Sequence, residues 1–150
     1  MSIQDRIQQR RWPTLADEAV VSLMVAAEHI EQAAVPVWER HGITADQYNV
    51  LRILRGVHPG GHPRCEIARR MIHRAPDVTR MLDRLARQRL VTRGRNPDDR
   101  RESIATISRA GLGLLERIDA EVLAVQQSVT QGLNERELRE LVRLCDALVP

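Results

Sequence analysis

Apolar residues recur along most of this chain at spacings of three and four, the repeat of a helix with one buried face. Val20, Leu23, Ala27, Ile30, Ala34 and Val37 follow one another at 3, 4, 3, 4 and 3. Val21, Met24, Val25 and Ala26 widen that seam beyond what one partner helix would cover, which points to a subunit interface as well as an ordinary core. The pattern predicts a long helix, capped by Thr14 with Asp17 three residues on, and kinked or ended near Val35 by Pro36. A short helix carrying Ile3 and Ile7 precedes it and breaks at Trp12 and Pro13. Thr44 opens the next helix with Gln47 at the capping-box position, and Tyr48, Leu51, Ile53 and Leu54 form its inner face. HPGGHP, from His58 to Pro63, reads as a turn with no regular structure. Near the other end, Ser108 caps a helix with the seam Leu112, Leu115, Ile118, Val122, Val125 and Val129. Gly132 stops it. Asn134 and Glu137 then open a last helix whose buried face is Leu138, Leu141, Val142, Cys145 and Leu148.

The middle of the chain changes character. Arg64 to Met71 predicts a short helix with Ile67, Ala68 and Met71 turned inward, and His73 to Ala75 a tight turn. Pro76 suits the first turn of the helix that follows, and Asp77 suits the positive end of its dipole. Val78, Leu82 and Leu85 give that helix one narrow apolar stripe, while Thr79, Arg80, Asp83, Arg84 and Arg87 occupy the rest of its surface. Leu90 to Thr92 reads as a strand, Gly94 to Asp99 as a turn, and Ser103 to Ile107 as a returning strand. A basic helix followed directly by an arginine-tipped hairpin is the layout of a winged helix-turn-helix. The expected fold is therefore mostly α with a small β-hairpin wing, organised as 1–40 (N-terminal helices), 41–108 (winged helix-turn-helix) and 109–150 (C-terminal helices) within one compact domain.

Composition supports this picture and adds charge. With no Phe, one Tyr and two Trp in 150 residues, the core falls to Leu, Ile, Val, Ala and Met, which suits helices better than a sandwich. The formal net charge of +3 hides a segregation. Between Arg64 and Arg101 twelve arginines stand against five carboxylates, a net of +7, whereas the remainder carries eleven against fifteen, a net of −4. Such a concentration of cations is costly unless a polyanion compensates it. Every basic residue is Arg and none is Lys, and the planar guanidinium can hold a phosphate or a guanine through two hydrogen bonds. No run of 18 apolar residues is present and MSIQDRIQQRR lacks the apolar segment of a signal peptide, so a cytoplasmic protein is expected, without a membrane partner. Two distant cysteines, Cys65 and Cys145, suggest no disulfide framework.

Four short motifs in register make the reading specific: TRMLDRL at Thr79 to Leu85, LVTR at Leu90 to Arg93, NPDDRR at Asn96 to Arg101 and ISRAG at Ile107 to Gly111. With the weaker GITADQYNVLRIL of Gly42 to Leu54, they resemble the multiple-antibiotic-resistance-regulator (MarR) family of transcription factors. The resemblance covers roughly 42–115 and departs from the family at Arg89, where a glycine is usual, and in the long, Pro-rich connection before Arg64. It implies a homodimer paired through the terminal helices, bound to double-stranded DNA at a pseudopalindromic site and acting as a repressor. The helix would enter the major groove with Thr79, Arg80 and Arg84 at bases or phosphates, Asp77 at its start, and Arg74 and Arg87 on phosphate. At the wing tip Asp99 would hold Arg101 toward the minor groove with Arg100 beside it on the backbone.

Sensing is less sharply written. The family resemblance implies release by a small aromatic or phenolic effector, for which His29, Trp38, His41 and Tyr48 are candidate lining residues, although packing or solvation explains each of them better. Cys65, beside Arg64 and Glu66 at a helix start, is the candidate for a thiol-based redox switch. His58, His62 and Cys65 have spacings that could ligate zinc, yet histidines in a Pro/Gly turn are commonly metal-free, so neither metal nor cofactor is assigned. No Gly-rich phosphate loop, H-E-x-x-H or nucleophile motif argues for an enzyme. Two alternatives to a ligand-released DNA-binding regulator stay open: a thiol-based redox regulator, and a winged helix used only for protein contact.

Overall fold

The computed structural model of the chain describes residues 3–9, 11–74, 77–96 and 103–149. Its elements are, in order, α1 (Ile3–Ile7), α2 (Leu15–His41), α3 (Ala45–Arg55), β1 (His62–Pro63), α4 (Arg64–Arg70), α5 (Val78–Arg87), β2 (Val91–Arg95), β3 (Ser103–Ile107), α6 (Arg109–Thr130) and α7 (Glu135–Leu148). The mostly helical winged fold expected from the sequence is what forms. Contacts group the chain into two units, Pro36–Val122 and the pair of segments Met1–Val35 and Leu123–Pro150.

The unit Pro36–Val122 holds the core. Val50, Leu51 and Leu54 of α3, Ile67 of α4, Leu82 and Leu85 of α5, and Leu115 and Ile118 of α6 are all sealed from solvent. α3 and α6 start where the sequence provides caps. Thr44 Oγ1 accepts from Gln47 N at 3.1 Å while the Gln47 side chain accepts from Thr44 N at 2.9 Å, a complete capping box at the head of α3. Ser108 Oγ accepts from Gly111 N at 3.1 Å at the head of α6.

The sheet has the order β1-β3-β2. Val91 pairs with Ile107, Arg93 with Ala105 and Arg95 with Ser103 in an antiparallel hairpin. Paired residues share a face, and Val91, Ala105 and Ile107 are buried, so theirs is the inner one. Two expectations change here. His62 and Pro63, placed by the sequence in an irregular turn, form a strand against Ala105 and Ile104. The segment offers little strand propensity of its own and is recruited by the exposed edge of β3. Gly61 allows it, since a Cβ there would lie 2.3 Å from the Ala105 carbonyl oxygen. Gly94 and Arg95, read as turn, extend β2 instead because both have partners across the hairpin.

In the second unit, Thr14 Oγ1 accepts from Asp17 N at 3.0 Å at the start of α2, and Arg6 of α1 bonds Glu28 at 2.5 Å. Asn134 and Glu137 form a capping box at the head of α7. α2 does not end at Val35: it runs through Pro36 to His41. Proline deletes one helical hydrogen bond, that to the Gln32 carbonyl, and both residues lie on the exposed side, where water can satisfy the oxygen. The burial expected of the α7 seam does not occur within the chain. No residue of α7 is buried, and Leu141, Val142, Leu144 and Leu148 are exposed. On α2, Val20, Leu23, Met24 and Ile30 are exposed likewise.

Candidate nucleic-acid interface

α5 is the amphipathic helix of the basic segment. Its N-cap is Asp77, whose side chain accepts from Arg80 N at 2.9 Å and lies 3.2 Å from Arg80 Nε. Asp77 thus both satisfies an orphan N–H and steers the arginine one turn on. Val78, Leu82 and Leu85 are buried as their spacing predicts, leaving Thr79, Arg80, Arg84 and Arg87 exposed. Arg80 and Arg84 stand one turn apart. The turn before α5 is pinned from α3: Ile72 N donates to Asn49 Oδ1 at 2.9 Å, and His73 Nδ1 lies 3.2 Å from Asp46 Oδ1. Arg74 is exposed in that turn. Pro76, Asp99, Arg100 and Arg101 fall outside the described residues.

Some arginines are tied to acids within the fold. Glu66 on α4 takes Arg69 at 2.7 Å and Arg70 at 2.5 Å, and these bonds, Arg69 first, hold its carboxyl below the usual range. Asp83 on α5 pairs with Arg93 of β2, and its carbonyl accepts from Arg87 Nε at 3.3 Å. No local motif marks Asp83 and Arg93 as partners. The only signal was that Arg93 follows Val91 by two, which puts both on one face of a strand. At the end of α5, Arg89 has φ 59° and Ser108 Oγ donates to its carbonyl at 2.7 Å.

A groove of about 220 Å³ runs between the start of α3 and α5, lined by Thr44, Asp46, Gln47, Asp77, Arg80, Met81 and Arg84. None of His29, Trp38, His41 and Tyr48 lines it. Trp38 and Tyr48 pack against each other with ring centroids 4.8 Å apart, and Arg52 lies over the Tyr48 ring at 5.8 Å. The Tyr48 hydroxyl donates to Asp119 at 3.2 Å; burial, and then the Asp119 charge, pushes its pKa up. His41 lies 2.8 Å from Glu121, which Arg40 also bonds, and the hydrogen bond with His41 leads in lowering the Glu121 pKa. His29 is an exposed residue of the other unit. Cys65 is exposed and Cys145 partly so. Among the described residues no three His, Cys, Asp or Glu side chains converge, so His58, His62 and Cys65 do not form a metal cage.

A model of the MarR family matches residues 43–103 of the chain, which span α3 to the first residue of β3. The HTH-type transcriptional regulator MhqR of Bacillus subtilis (strain 168) is 29% identical over 99 residues, covering 66% of this chain and 67% of that protein. The crystal structure of a MarR transcription factor from Planctomyces limnophilus is 35% identical with a TM-score of 0.70, over 91% of this chain and 99% of that one. A mutant MarR from Escherichia coli, crystallised with operator DNA, shares the fold with a TM-score of 0.78 at 21% identity over 100% of both chains.

Proposed function

Because the chain belongs to the MarR family of DNA-binding transcription regulators, we propose that it represses transcription by gripping a pseudopalindromic operator as a homodimer. What carries this reading is the face of α5: three buried aliphatic residues on one side, and Thr79, Arg80, Arg84 and Arg87 open to solvent on the other. A helix fits the B-DNA major groove, where residues near its N-terminus reach base edges and flanking cations bind phosphate. Arg80 and Arg84 face bases, Thr79 a base or phosphate, and Arg74 and Arg87 the backbone. Asp77 orients Arg80. At the wing tip the family likeness implies that Arg101, oriented by Asp99, would enter the minor groove with Arg100 on the adjoining phosphate.

Two copies supply the spacing. The apolar residues that α2 and α7 leave in solvent are the surface on which a second copy packs, setting two α5 helices about 34 Å apart, one turn of duplex. By length and composition α2 is also apolar enough to span a bilayer, with a mean hydropathy of 1.2. Carboxylates along it, among them Asp17, Glu18, Glu28 and Glu31, speak against lipid, where charged side chains are costly to insert. Release of the DNA by a small aromatic effector belongs to the same proposal, but Trp38 and Tyr48 pack on each other with Tyr48 only 7% exposed, so the support for it is the family likeness and not a cavity at these rings.

The test is anisotropy titration of labelled duplexes from the region upstream of the chain's own gene, at low and moderate salt. Affinity should fall steeply as salt rises, because each neutralised phosphate releases counterions with a slope of about −0.9. Absence of salt-dependent binding would leave the protein-contact reading in its place. Repeating the titration with benzoate and its hydroxylated derivatives tests release, and a promoter reporter distinguishes repression from activation.

A further inference from the structure

We infer that Arg93 is a strut and not one of the DNA-contacting arginines: clamped by Asp83, it fixes the pitch of the wing hairpin against the recognition helix α5. The inference rests on the DNA-binding reading above but adds a residue pair that reading does not contain. Arg93 pairs across the hairpin with buried Ala105 and follows buried Val91 by two, so it lies on the inner face of the sheet. Its side chain is 31% exposed, against 74% for Arg80. Asp83 is the one carboxylate within α5, and it meets Arg93 ten residues on, across two elements.

The energetics favour a positioning role. A guanidinium on a half-covered inner face needs a counter-charge, and a charge-assisted bond to a carboxylate supplies both neutralisation and a fixed direction. With its charge committed to Asp83, Arg93 neutralises no phosphate, so it releases no counterions from the DNA and adds little to the salt dependence of binding. Asp83 is also held at its main chain, where its carbonyl accepts from Arg87 Nε at 3.3 Å. The hinge between α5 and β2 is short, so a bond spanning it sets the angle at which the hairpin leaves the helix.

The experiment compares Arg93→Ala, Asp83→Ala, the double variant and the charge swap Asp83→Arg with Arg93→Asp, in the full-length protein. Its first readout is affinity for the same upstream duplexes across a salt series. Both single variants should weaken binding roughly five- to tenfold and the double variant no further, as expected for one coupled unit. The salt slope of Arg93→Ala should match that of the parent. A slope lowered by about 0.9, the signature of one lost phosphate contact, with Asp83→Ala binding as well as the parent, would overturn the inference. The second readout needs no DNA: amide hydrogen exchange across β2 and β3 should quicken equally in the two single variants and recover in the charge swap. Unchanged exchange in both singles would also overturn it, even if the protein bound no duplex and the repressor reading itself had failed.

Discussion

Ser108 Oγ donates to the backbone carbonyl of Arg89 at 2.7 Å, joining the residue that caps α6 to the turn that follows α5. The same oxygen accepts from Gly111 N, and Ser108 N donates to the Leu90 carbonyl at 3.0 Å. One serine therefore caps α6 and closes the exit of α5. Ser108→Ala should lose both bonds and destabilise the protein by about 1–2 kcal/mol, the upper part of the range for a lost cap. Thermal denaturation measures it; a variant within experimental error of the parent would show that water replaces the hydroxyl without cost.

Arg89 itself is strained. Its φ of 59° lies in the left-handed region, which costs a residue with a Cβ roughly 1 kcal/mol. Arg89→Gly should raise stability by about 0.5–1 kcal/mol, reduced by the extra freedom glycine has when unfolded. Arg89→Ala keeps the Cβ and should gain nothing. If alanine stabilised as much as glycine, the gain would come from losing the charge and not from the backbone.

Gly111 bears on the same junction from the α6 side. A Cβ there would sit 2.3 Å from the Leu90 carbonyl oxygen and 2.7 Å from Ile107 Cγ1. The backbone contact cannot give way as a side chain would. Gly111→Ala should therefore cost about 1–3 kcal/mol, the range for overpacking a tight core. A neutral result in urea denaturation would mean that α6 can shift away from the hairpin.

Glu121 predicts an acid dependence. Its pKa is held below the ordinary 4.5 by the hydrogen bond with His41 and the charge of Arg40. A carboxyl depressed in the folded state stabilises fully above its unfolded pKa, and that contribution fades as pH falls through the folded value. Glu121→Gln should consequently be less stable than the parent at neutral pH and approach it below about pH 4.5. Parallel stability curves from pH 7 to pH 3 would show that the His41 and Arg40 contacts carry no net energy.

How much of this was legible in sequence follows from what each feature depends on. The stripe Val78, Leu82 and Leu85 and the two capping boxes are written within a few residues, so local pattern predicts them. β1 is not: two residues, His62 and Pro63, become a strand only because β3 lies beside them. Pairing energy decided it, and no local rule carries that term. Asp83 and Arg93 meet through the turn at Arg89, whose geometry a helix-and-strand pattern leaves undefined. The period of the α7 seam marks an apolar face that its own chain leaves exposed, because a hydrophobic period states that a face needs covering and not what covers it.

That uncovered face yields the strongest prediction about assembly. Val142 and Leu148 of α7 are 62% and 64% exposed in the single chain, so a charge there displaces little internal packing. Substitutions at exposed sites within a chain usually change stability by no more than about 0.5 kcal/mol. If a second copy packs on this face, Val142→Asp buries a carboxylate between subunits, and the dimer pays heavily where the isolated chain does not. Sedimentation should show the variant monomeric, with its helical circular dichroism retained and its affinity for the upstream duplex sharply reduced. A variant that stayed dimeric and bound as before would place the subunit contact elsewhere than on α7.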